Sequence, residues 1–85
     1  MEGIMIYEHE YDVWTVWLGQ ESYCVEVNDQ MDMMIGDQYL GVRITRDFQE
    51  EWNVLIEELT TLNLRKHEVY KVKYTLFSFG EEAPI

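Results

Sequence analysis

Asp47-Phe48-Gln49-Glu50-Glu51-Trp52-Asn53-Val54-Leu55-Ile56-Glu57-Glu58-Leu59-Thr60-Thr61-Leu62-Asn63 is the stretch on which the fold reading turns. Asp47 is able to accept from first-turn amides and Glu50 stands three residues on, the spacing of a capping box. Phe48, Trp52, Leu55, Ile56, Leu59 and Leu62 recur at helical spacing and fall within about a third of the circumference at roughly 100° per residue. Asn63 suits a left-handed terminator, and Arg65, Lys66 and His67 just beyond it would complement the helix dipole. The stretch therefore reads as one amphipathic helix ending near Leu62.

Upstream, residues 4–18 are dense in β-branched and aromatic side chains, which fit a pleated surface. A single strand of that length is unusual, so a break is expected near residues 8–12, with the strong strand at residues 13–18. Gly19-Gln20 then has the type II′ hairpin pattern, returning through residues 21–27. Residues 28–38 show no clean period and carry Asp29, Asp32, Gly36 and Asp37, so they read as a connection. Residues 39–44 follow as a strand, with Leu40, Val42 and Ile44 inward. Downstream of the helix, alternation resumes over residues 69–79, and residues 80–85 read as a loose tail. The expected fold class is α+β, in the order β-β-β-α-β, with the helix on one face of a small antiparallel sheet. Its main core would set Phe48, Trp52, Leu55, Ile56 and Leu59 against Leu40, Val42, Ile44, Tyr70, Val72 and Tyr74.

A chain of 85 residues forms one core, so residues 1–85 are read as a single domain. The apolar fraction of 47% is too rich for disorder despite the charge. No apolar run is long enough to span a bilayer and no secretory pattern opens the sequence, which points to the cytoplasm. Cys24 stands alone and fits a reducing compartment. Seventeen Asp and Glu against six Lys and Arg give a net charge of −11, which steers the protein toward positive partners and disfavours direct nucleic-acid binding.

Chemistry-bearing motifs are scarce. Glu8-His9-Glu10 resembles a ligand set, but in an extended chain His9 points away from both carboxylates, and an ordinary surface histidine is favoured. Cys24 lies mid-strand with no base or helix N-terminus beside it, so a buried structural role is expected. Asp29, Asp32 and Asp37 fail the calcium-loop register. No catalytic residue, metal or cofactor is expected, and the chain reads as a non-enzyme.

The charge pattern supplies the functional expectation. On a helix, Glu50, Glu51, Glu57 and Glu58 would form an arc with no basic residue four positions later. Together with Glu8, Glu10 and Asp12 they are the expected surface for a basic protein partner. The leading reading is a small intracellular inhibitor of a basic or nucleic-acid-handling protein, of the nucleic-acid-mimic, immunity or phage and plasmid counter-defence kind. The alternative is an assembly subunit, such as a homodimer, that self-associates through an aromatic sheet face drawn from Trp14, Trp17, Val69 and Phe77. One helix would cover only one face of the sheet.

Overall fold

Period two, not the helical period, governs residues 52–63. Trp52 and Val54 point into the core, while Phe48 is 106% exposed and Leu59 85% exposed, the opposite of what a packed helix demands. The computed structural model describes residues 1–74, and they form an all-β chain of eight strands with no helix among them. These are β1 (Glu2–Glu8), β2 (Val13–Leu18), β3 (Glu21–Cys24), β4 (Gln30–Ile35), β5 (Gln38–Arg46), β6 (Trp52–Ile56), β7 (Thr60–Asn63) and β8 (Tyr70–Lys73). The α+β expectation and its β-β-β-α-β order are therefore wrong.

The expected helix is instead β6 and β7, paired from Asn53↔Asn63 to Ile56↔Thr60. Its supposed cap closes a turn. The Asp47 carboxylate accepts from the amides of Gln49 and Glu51, each at 2.9 Å, while the Glu50 amide donates to the Asp47 carbonyl at 2.9 Å. Aspartate offers the same acceptor to a hairpin turn as to a first helical turn, so the local signal could not separate the two. At the other end of β6, the Leu59 amide donates to the Ile56 carbonyl at 2.9 Å, around Glu57 and Glu58 at φ 54° and 60°. Positive φ at both central positions is what a tight primed hairpin turn requires, although Glu is an unusual residue to supply it.

Residues 28–38, expected to be a connection, contain a strand. Met31 and Met33 are buried on one face with Asp32 exposed between them, and they belong to β4, which returns through Gly36 (φ 68°) into β5. The polar outer residues and the methionines concealed a strand that only its neighbours make evident. Other expectations match the structure. β2 covers residues 13–18, Gly19-Gln20 closes a two-residue hairpin with Gly19 at φ 66°, and β1 breaks into a turn after Glu8.

The strands form one antiparallel sheet in the order β3-β2-β1-β8-β4-β5-β6-β7. β8 joins the first three strands to the next four, pairing Ile4↔Lys71 on one side and Met33↔Val72 on the other. Every register keeps one face apolar, so Met5, Trp14, Val16, Met33, Val42, Ile44, Trp52, Val54 and Val72 meet in a single core. Of the expected core, Trp52, Val42, Ile44 and Val72 are buried, whereas Leu40, Leu55, Ile56, Tyr70 and Tyr74 are half-buried. Close approach of β1 and β2 depends on Gly3, since a Cβ there would lie 2.2 Å from the Trp17 carbonyl oxygen.

The sheet must be strongly curled. Asp12, between β1 and β2, lies 3.3 Å from Arg46 at the end of β5. In a flat sheet, three or four strand spacings would separate them by about 14–19 Å. No helix long and apolar enough to cross a membrane is present among the described residues.

Ile44→Ala is expected to cost about 2–5 kcal/mol of stability in urea unfolding, because Ile44 is fully buried. Phe48→Ala should change it by less than about 0.5 kcal/mol, the reverse of the ranking a packed helix would give.

Candidate functional site

The seven acids singled out by the sequence do not form one arc. Glu51 and Glu57 flank β6, six residues apart along an extended chain, or about 20 Å. One group, Glu50 and Glu51, sits on the turn into β6 and meets the turn carrying Glu10 and Asp12, just past Glu8 at the end of β1. The other group, Glu57 and Glu58, sits on the turn into β7.

Arg46 ties the first group together. Its Nη2 lies 3.3 Å from Asp12 and 3.9 Å from the Glu50 carboxylate, its Nε donates to the Glu50 carbonyl at 3.1 Å, and its guanidinium stacks 4.5 Å over Trp52. The Tyr7 hydroxyl also donates to Asp12. Lys66 stands 4.9 Å over the Tyr7 ring, and the His9 ring meets its edge at 4.8 Å. That hydroxyl, followed by Arg46, holds the Asp12 carboxyl below its usual range, and Asp12 in turn raises the Tyr7 hydroxyl. Glu10 and Glu51 are exposed and take part in no ion pair among the described residues.

The second group borders an open cleft of about 750 Å³ on the outer face of the sheet, where, among the described residues, β8 pairs with two residues of β4. Arg43 is its centre. It makes a bidentate pair with Glu58, Nε–Oε2 3.0 Å and Nη2–Oε1 3.1 Å, and its Nη1 donates to Asn28 at 3.0 Å. The pair lowers the Glu58 carboxyl and raises the Arg43 guanidinium. Glu57 and Gly41 bond reciprocally, amide to carbonyl at 2.9 Å and amide to carboxylate at 3.0 Å. Glu57 and Glu58 thus anchor their turn to β5. Asp29, Asp32 and Lys73 also line the cleft, and none of these three is among the expected binding residues. The signal that could have found Arg43 is a lone basic residue among outer positions of a strand, which is too weak to read without the register.

Of the residues expected on an aromatic sheet face, the described ones, Trp14, Trp17 and Val69, do not share one face. Trp14 is fully buried, and Trp17, three residues on in the same strand, points to the opposite face. Val69 is 59% exposed in the loop before β8, and Phe77 lies outside the described residues. The outer face instead carries Ile4 opposite Trp17 and Met34 opposite Tyr39, separated by Lys71. Cys24, expected to be buried, is exposed on β3. No group of three potential metal-ligating side chains converges among the described residues.

No protein-family profile and no curated protein matches the chain. One solved structure is similar. It is the crystal structure of a protein from Ruminococcus gnavus, from the Northeast Structural Genomics Consortium, with a TM-score of 0.66 and 19% identity over 86% of this chain and 99% of that one. At that identity the likeness concerns the fold alone.

Glu50 lies at φ 64°, where an L side chain is strained. Glu50→Gly is expected to raise stability by roughly 0.5–1 kcal/mol, the left-handed penalty less the added entropy of the unfolded chain. Thermal unfolding measures it, and a lowered midpoint would contradict the turn geometry.

Asp12, Glu58 and Asp47, the last lowered chiefly by the Glu51 amide, all have folded pKa values below their unfolded ones. The stability they contribute is full above the ordinary carboxylate range of about 4 and is lost as pH falls through their folded values. Urea unfolding followed from about pH 7 to about pH 2 should show that loss. Asp47→Asn keeps the acceptor oxygen without the titration, so it should flatten the acid limb. An unchanged limb would mean the turn is held otherwise.

Proposed function

We propose that this chain is a non-enzymatic protein-binding module that docks on a basic surface of another protein through its two converging acidic turns. The observation that carries the reading is the Asp12–Arg46–Glu50 link, which brings together turns more than thirty residues apart in sequence. Glu8, Glu10, Asp12, Glu50 and Glu51 thereby share one end of the curled sheet, with Arg46 and Lys66 as their basic neighbours. Glu57 and Glu58 are committed to Gly41 and Arg43 and contribute charge rather than contact. A protein that handles nucleic acid offers the kind of basic site that such a surface fits, and occupying that site would inhibit it. The net charge of −11 supports the reading by favouring fast, salt-sensitive association.

The test compares two double variants with the same change in net charge. Glu10→Lys with Glu51→Lys alters the proposed surface, whereas Glu2→Lys with Asp37→Lys alters exposed positions elsewhere. A partner is captured from the native host at low salt, and its association rate is measured for both. The first pair should slow association about tenfold or more relative to the second, with folding stability within about 0.5 kcal/mol of the parent. Equal slowing by both pairs would mean that only the overall charge matters and would sink the assignment.

A further inference from the structure

We propose that the chain pairs with a second copy of itself through β7, antiparallel and about a two-fold axis at Leu62. Among the described residues, β7 is the last strand of the sheet and pairs only with β6. The Leu64 amide donates to the Trp52 carbonyl at 3.0 Å, so Trp52 and Leu64 are a hydrogen-bonded pair. Such pairs recur every second residue in an antiparallel ladder, which makes Val54/Leu62 and Ile56/Thr60 bonded pairs as well. The amides and carbonyls of Thr61 and Asn63 therefore point away from β6, toward the open edge.

Edge strands are ordinarily guarded by charge, proline or a bulge. β7 has none of these: Thr60, Thr61, Leu62 and Asn63 are uncharged, regularly paired and all exposed. Charge complementarity then selects the occupant. The strand is preceded by Glu57-Glu58 and followed by Arg65-Lys66. A two-fold axis at Leu62 sets Thr61 against Asn63 of the second copy, which completes two reciprocal pairs of backbone bonds. It also brings the acidic turn of each copy toward the basic turn of the other, and Leu62, 37% exposed, against its own counterpart. The other edge, β3, begins with Glu21 and is followed by Glu26, so the same operation there would bring acid toward acid. An isologous contact at β7 closes on itself and stops at a dimer.

Sedimentation velocity on the full chain tests this from roughly 10 μM to 1 mM, the range suited to a contact smaller than about 1,200 Å². The parent should pass from monomer to dimer across it. Thr61→Pro removes one outward amide and no bond to β6, and should weaken the dimer at least tenfold while thermal unfolding shows the fold retained. Leu62→Lys, which sets two positive charges face to face on the axis, should do the same and decides the matter if the proline variant fails to fold. Ser22→Pro, at an outward amide of β3, should leave association unchanged. A parent that stays monomeric throughout, a dimer indifferent to Thr61→Pro and Leu62→Lys, or a dimer lost in Ser22→Pro would each overturn the proposal.

Discussion

With no helix among the described residues to lie across it, the apolar face of this eight-stranded sheet is hidden by curling the sheet upon itself. Everything else in the structure follows from that constraint. β1 to β3 and β4 to β7 form two consecutive runs of neighbours joined through β8, and their inner side chains meet in one core around Trp14, Met33, Ile44 and Val54. Gly3 permits the close approach of β1 and β2. The contact of Asp12 with Arg46 connects regions that a flat sheet would hold far apart.

The curl also redistributes the acids. A helix would have gathered Glu50, Glu51, Glu57 and Glu58 on one solvated side, but a strand places them at its two ends. There they serve turns whose backbone lies in the left-handed region, and in each case the turn is tied to β5, by Arg46 at one end and by Gly41 with Arg43 at the other. Exposed ion pairs contribute little individually. Here they coincide with backbone bonds, which gives the turns a specific anchor. Part of the negative charge is thus structural, and the remainder, exemplified by Glu10 and Glu51, is free of ion pairs among the described residues.

How much was legible depended on the range of the forces involved. The β2 to β3 hairpin was readable because Gly19 supplies the turn geometry itself and alternation in residues 13–18 is strong. β4 was hidden because its outer positions carry Asp32 and Gln30, and its inner methionines have no strong strand preference. The helix reading of residues 47–62 failed for a definite reason. Trp52, Leu55, Ile56, Leu59 and Leu62 satisfy the helical period, while Trp52, Val54 and Ile56 satisfy the strand period equally well. The residue pair that breaks the tie, Glu57-Glu58, lacks the Asn or Gly that announces a primed turn. The candidate site suffered in the same way: the grouping of its acids was inferred from an element that does not form, and the structure distributes them between the two ends of β6.

By itself the sequence determined the single small core, the large negative charge, the scarcity of catalytic motifs and the local hairpin at Gly19, since each depends on composition or on residues adjacent in the chain. Only the tertiary structure decided that residues 52–63 are two strands, that Asp12 meets Arg46, and that Glu57 and Glu58 fold back on β5. The physical reason is that these outcomes rest on bonds to β5 and on burial against strands far away in sequence. Local preference at Glu57 and Glu58 opposed the turn, and long-range contacts prevailed.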